Sequence, residues 1–129
     1  MEPDNRQRGT ILVVDDNCVI RVLVKDFLEV EGYTVLIAGD AETAIRLYQE
    51  HQSVVSLLIT DVVMPDLSGL QLADHILRLE PQMPVLLMSG TEGASGGFGC
   101  IAKPFTPADL IDRVGELLET HRPHRTAAA

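Results

Sequence analysis

Four short aliphatic runs in this chain each end in a group that can do chemistry. Ile11-Leu12-Val13-Val14 runs into Asp15-Asp16, and Leu57-Leu58-Ile59-Thr60 runs into Asp61. Pro84-Val85-Leu86-Leu87-Met88 ends in the hydroxyl of Ser89, and Cys100-Ile101-Ala102 ends in Lys103-Pro104. Brought together, these are three carboxylates, one hydroxyl and one ammonium. Like charges at close range resist joint ionisation, and a hard divalent cation removes that penalty. Mg2+ prefers oxygen ligands and typically takes one or two carboxylates plus phosphate oxygens. The expected ligands are Asp16 and Asp61 directly, Asp15 through water, and one backbone carbonyl just after Asp61, assigned to Val63. An oxygen of Asp61 is then free to attack phosphorus in line, as carboxylate nucleophiles do when they form aspartyl-phosphates. The charge of a transferring phosphoryl group sits on its equatorial oxygens. The metal, Lys103 and Ser89 would each take one of them, and Gly90 leaves room for the approach. A single aspartate at a strand end is commonly a turn or cap residue; five suitable groups at successive strand ends are not explained that way.

Buried parallel strands read as short, nearly continuous aliphatic runs, and ligands of an open α/β sheet sit just beyond the carboxyl ends of its strands. The runs predict strands over Ile11–Val14, Tyr33–Ala38, Val54–Thr60, Val85–Met88 and Cys100–Ala102. Helices fall between them. The first covers Cys18–Val30, with Val19, Leu23, Phe27 and Val30 at helical spacing and Gly32 as its stop. Asp40 caps a second that carries Ala44, Leu47 and Tyr48. A third carries Leu70, Ala73, Ile76 and Leu77 and is closed by Pro81. Thr106 caps the last, with Pro107 at its first position, Asp109 three residues after the cap, and Leu110, Ile111, Val114, Leu117 and Leu118 facing inward. Strand and helix alternating at this length predict an α/β fold with a doubly wound parallel sheet. One interval breaks the pattern. Five of the ten residues from Gly90 to Gly99 are glycine, and a parallel crossover usually takes a dozen or more residues including a helix. A loop is expected there.

The chain has 129 residues, 46% hydrophobic but only 4% aromatic, so one domain with an aliphatic core is expected. Residues 1–9 and 120–129 read as polar tails around a domain at 10–119. A formal net charge of −9, from 10 basic and 19 acidic residues, argues against nucleic acid or an anionic membrane as partner. Cys18 and Cys100 show no metal-ligand spacing; small core residues in a reduced, cytoplasmic setting are expected. No apolar run approaches a membrane span, and the acidic, polar start is unlike a secretory signal. His51, His75, His121 and His124 share no metal-binding spacing. The glycines form neither a dinucleotide nor a P-loop fingerprint.

Four segments resemble the response-regulator receiver domains of two-component signalling: Ile11 to Asn17, Thr60 to Leu70 (containing Met64-Pro65-Asp66-Leu67-Ser68-Gly69), Met88-Ser89-Gly90 and Lys103-Pro104-Phe105. The resemblance spans about residues 10–119. It implies a flavodoxin-like five-stranded parallel sheet of order 2-1-3-4-5. It implies Asp61 as phosphoacceptor, Asp15 and Asp16 as the Mg2+ pair, Ser89 as switch hydroxyl, Lys103 as phosphate partner and a cis bond before Pro104. It also implies a sensor histidine kinase or histidine phosphotransfer protein as phosphodonor; it names no downstream partner. Leu-Leu-Met-Ser-Gly together with Ile-Ala-Lys-Pro-Phe-Thr-Pro looks most like receivers of hybrid histidine kinases. Two departures stand out. The family's fourth helix has no room between Ser89 and Lys103, and Cys100 stands where the family places an aromatic residue or histidine.

The expected function is therefore a phosphoacceptor that catalyses only its own phosphorylation and dephosphorylation, with a non-standard output surface in which phosphorylation orders residues 90–99. The competing reading is a phosphorylation-independent protein-binding module. A phosphatase would need a second acid two residues after Asp61, and that residue is Val63. Because Val63 and Thr91 flank the position of a hydrolytic water in receivers, slow dephosphorylation is expected.

Overall fold

The computed structural model describes residues 8–89 and 99–120. Among the described residues nine elements follow one another: β1 (Thr10–Val14), α1 (Cys18–Val30), β2 (Thr34–Ala38), α2 (Ala41–Glu50), β3 (Val55–Asp61), α3 (Gly69–Leu79), β4 (Val85–Ser89), β5 (Gly99–Ala102) and α4 (Pro107–Thr120). The strands form one parallel sheet in the order β2-β1-β3-β4-β5. No helix among the described residues is long and apolar enough to cross a membrane.

Alternation along each strand explains the aliphatic runs. Ile11, Val13, Leu57, Ile59, Leu86 and Met88 point to one face and pack against Val24 and Leu28 of α1 and Leu110 and Val114 of α4. Leu12, Val14, Leu58, Val85 and Leu87 point to the other, against Ala44 and Tyr48 of α2 and Leu72, Ala73 and Ile76 of α3. Both faces are covered, so neither tolerates polar residues until a strand leaves the core. Each fully buried leucine or isoleucine contributes about 1.5–3 kcal/mol by leaving water. The strand ends are where a polar side chain costs least.

Local signals set the helix ends. Asn17 caps α1 by accepting from the amides of Val19 (2.9 Å) and Ile20 (3.3 Å). The helix stops in a Schellman arrangement, with Tyr33 N on Leu28 O (3.2 Å), Gly32 N on Glu29 O (3.0 Å) and Gly32 at φ 98°. Asp40 caps α2. Ser68 and Gln71 form a capping box on α3, and Thr106 and Asp109 exchange hydrogen bonds across the first turn of α4.

Several expectations are corrected. β3 runs through Asp61 and β4 through Ser89, one residue further than the aliphatic runs suggest, while β2 starts at Thr34. The inward face of α1 is not Val19, Leu23 and Val30. These are exposed (83% for Val30); of the four residues at helical spacing only Phe27 packs inward, beside Ile20, Val24 and Leu28. Cys18 is exposed rather than a core residue, whereas Cys100 packs partly buried against the α2–α3 side. Residues 90–98 lie outside the described residues, and with them the glycine-rich loop expected in place of the family's fourth helix, the expected ordering of that segment, and Thr91. The two polar tails, His121 and His124 fall outside as well, except for the residues from 8 and through 120.

The β3–α3 turn is tight for a steric reason. A Cβ on Gly69 would overlap the carbonyl oxygen of Asp61 and lie 3.0 Å from Val62 Cα, and Gly69 N donates to Val62 O at 2.7 Å. The obstacle is backbone on both sides, so it cannot rotate away. Gly69→Ala is expected to lower unfolding free energy by about 2–3 kcal/mol, measured by urea titration; an unchanged midpoint would contradict this packing.

Candidate functional site

Parallel pairing delivers the predicted groups to one edge of the sheet. Val14 of β1 is paired with Thr60 of β3, Asp61 with Met88 of β4, and Ser89 with Ala102 of β5. Asp15, Asp61, Ser89 and Lys103 therefore leave four adjacent strands at similar height. Lys103 N donates to Ser89 O at 2.8 Å, and the Lys103–Pro104 bond is cis, as the resemblance implies.

Asp15 is fully buried and every polar group it has is used. Its amide donates to Ala38 O (3.1 Å). Its carboxylate accepts from Asn17 N (2.9 Å) and Lys103 Nζ (3.0 Å), and its carbonyl from Arg21 Nη1 (2.7 Å). Asp61, 9% exposed, places Oδ1 3.3 Å from the same Lys103 ammonium, while its carbonyl accepts from Thr60 Oγ1 at 3.0 Å. Asp16 is exposed, and no hydrogen bond from the described residues reaches its carboxylate. One oxygen from each of Asp15, Asp16 and Asp61 lies within 4.8 Å of the others. Ser89 is buried beside them.

The electrostatics follow from crowding. Burial first, then the charge of Asp15, raises the Asp61 pKa above the ordinary carboxylate value; Lys103 opposes both, and Asp16 adds a smaller push upward. Burial works against the Lys103 ammonium, but its hydrogen bond to Asp15 and the charges of Asp15 and Asp61 outweigh this, and its pKa is raised. Three ionised carboxylates against one ammonium leave two negative charges. All the donors are hard oxygens, and the set suits Mg2+. The carbonyls of Asp61 and Val62 are engaged by Thr60 and Gly69. Val63 is thus the first residue of the loop whose carbonyl is uncommitted among the described residues, and the residue is 75% exposed.

Asp15, Asp16, Asp61, Ser89 and Lys103 lie at this edge, Val63 follows two residues after Asp61, and Gly90 lies outside the described residues. Others were missed. Asn17, named only at the end of the first resembling segment, caps α1 and donates its amide to Asp15. Arg21 contacts a backbone carbonyl six residues earlier, which leaves no side-chain pattern to find. Asp66 accepts from Ala41 N and Glu42 N, both at 3.1 Å, and from Leu67 N at 2.9 Å. It thereby caps α2 from the β3–α3 loop, and these backbone donors lower its pKa.

The raised pKa of Asp61 makes a signed prediction. Folding favours its protonated form, so the stability it contributes is fully present below the ordinary carboxylate pKa of about 3.9 and is lost as pH rises through the raised value. Asp61→Asn cannot ionise. In metal-free buffer it should have the higher thermal midpoint at pH 7, with the gap closing in acid; a lower midpoint at pH 7 would contradict the crowding.

The model of the response regulator receiver domain family matches residues 11–115. The chain is 35% identical over 118 residues to the DNA-binding transcriptional regulator NtrC of Bradyrhizobium sp. (strain RP501 Parasponia), covering 85% of this chain and 24% of that protein. It is 36% identical over 89 residues to the autoinducer 1 sensor kinase/phosphatase LuxN of Vibrio campbellii, covering 69% of this chain and 10% of that protein. Among solved structures, the receiver domain from the hybrid histidine kinase CckA superposes with a TM-score of 0.78 at 34% identity, over 85% of this chain and 99% of that one. The chain thus spans only a fraction of the two longer proteins. It belongs to the response-regulator receiver domains of two-component signalling.

Proposed function

We propose that this receiver domain accepts a phosphoryl group onto Asp61 from the phosphohistidine of a sensor histidine kinase or histidine phosphotransfer protein, with Mg2+ as cofactor. The observation that carries the reading is Lys103 reaching back across the sheet to Asp15 and Asp61 at 3.0 and 3.3 Å, beside a third carboxylate and a buried hydroxyl. A capping or solvating role would not need a cation shared between two buried acids.

The chemistry is a displacement at phosphorus. An Asp61 carboxylate oxygen forms the new P–O bond while the N–P bond of the donor breaks and its electron pair returns to the imidazole. Lys103, already within reach of Asp61, holds one equatorial oxygen of the transferring group, and Ser89 Oγ–H donates to another. Asp15, Asp16, Asp61 and the Val63 carbonyl would hold Mg2+. When bound, it supplies charge neutralisation for the carboxylates and for a phosphoryl oxygen. The chain then acts only on its own phosphorylation state, in the cytoplasm, where such donors and Mg2+ are available. Phosphomonoester turnover is disfavoured because Val63, two residues after Asp61, carries no proton to give a leaving group. Cys100, half-buried on the α2–α3 side, has no ring to swing, which supports an output surface unlike the family's usual one.

Intact mass after incubation with Mg2+ and acetyl phosphate tests the reading. Wild type should gain one phosphoryl mass and Asp61→Asn none. No gain, or gain that persists in the variant, would leave the phosphorylation-independent binding module as the better account. The Val63 side chain cannot orient water, so autodephosphorylation should be slow. Val63→Asn should shorten the acyl-phosphate lifetime several-fold, followed by loss of the phosphorylated mass over time; an equal or longer lifetime would contradict this.

A further inference from the structure

Asp16 poses a problem of placement. No hydrogen bond from the described residues reaches its carboxylate, yet one of its oxygens lies within 4.8 Å of oxygens of Asp15 and Asp61. Its position must come from the backbone. On the far side, Asn17 is held by its amide to Asp15 Oδ1 and by its side chain over the α1 terminus. On the near side, the peptide joining Asp15 to Asp16 is held through the Asp15 carbonyl, which accepts from Arg21 Nη1 at 2.7 Å. Arg21 leaves α1 at its first turn, where its own amide donates to Asn17 O at 3.1 Å.

The guanidinium has a seat. It lies beside Gly39, in the turn between β2 and α2, and a Cβ there would come 2.9 Å from Arg21 Nη1 and 3.4 Å from Cζ. Gly39 does not have a left-handed φ, so its backbone conformation does not require glycine. What requires glycine is the arginine passing over it. The obstacle is the end of a flexible side chain, so an added methyl would push the guanidinium aside rather than break the fold.

We infer that Arg21 is a positioning residue for the acidic pair, seated on Gly39, which sets the Asp15–Asp16 peptide and thereby the distance of Asp16 from Asp15 and Asp61. This rests on the reading of those carboxylates as a Mg2+ site. Groups that orient metal ligands from behind commonly change metal affinity by about 10–100-fold when removed. The expected effect here is at the low end, because the contact is made to a ligand's backbone.

The test is Mg2+ binding to the full chain by isothermal calorimetry, alongside the thermal midpoint without metal. Arg21→Ala should weaken Mg2+ binding about tenfold, and Arg21→Lys, which can still donate to the carbonyl, should recover part of it. Gly39→Ala should reproduce most of the Arg21→Ala loss while leaving the metal-free midpoint close to wild type. Added to Arg21→Ala, it should change nothing further. Wild-type affinity in both Arg21→Ala and Gly39→Ala, or losses that multiply in the double variant, would overturn the inference while leaving the metal site standing. Absence of Mg2+ binding by wild type itself would overturn the site and the inference together. If Arg21→Ala fails to fold, Gly39→Ala alone decides.

Discussion

One ammonium shared between two buried carboxylates is the interaction on which the rest of the structure depends. Lys103 follows the last strand and Asp15 the first, 88 residues apart in sequence, and they meet only because β3 and β4 lie between them in register. A buried acid without a partner is costly, and breaking such a pair by removing one member is strongly destabilising. The bridge is nevertheless incomplete compensation. Burial and Asp15 still push the Asp61 pKa upward, so the edge of the sheet retains an unsatisfied demand for positive charge. A fold that kept these groups for stability alone would do better with aliphatic residues of the same size.

The loops around this edge are constrained by backbone contacts rather than by bulk. Gly69 lets the chain turn against the peptide of Asp61, Asp66 ties the same loop to the start of α2, and Gly39 lets Arg21 reach the carbonyl of Asp15. The Asp66 contacts span 24 and 25 residues, the others are more local, and together they run from the β3–α3 loop through α2 and the β2–α2 turn to the acidic pair. The geometry of three carboxylates is thus set by residues that carry little or no reactive chemistry themselves.

Much of this was legible before folding. Both faces of the sheet are covered, so each strand reads as an aliphatic run, and the first residue that no longer has to be apolar stands out as Asp15, Asp61, Ser89 or Lys103. Caps at Asp40, Thr106 and Gly32 are short-range signals and read correctly for the same reason. The inward face of α1 did not. Val19, Val22, Leu23 and Val30 are exposed yet fit a helical period as well as the buried Val24 and Leu28, because this helix is apolar around most of its circumference and spacing alone cannot choose between faces. Arg21 and Asp66 escaped notice because their partners are main-chain atoms, which have no residue type.

On the proposed function, the acidic edge is a single site for a divalent cation and a phosphoryl group. A crystal structure of the chain with Mg2+ and beryllofluoride, a phosphoryl mimic, tests it most directly. The expected result is the fluoride adduct on Asp61, with Lys103 and Ser89 turned onto its fluorines and the metal held by Asp16, Asp61 and the Val63 carbonyl. An adduct on another residue, or a metal bound away from these carboxylates, would contradict it.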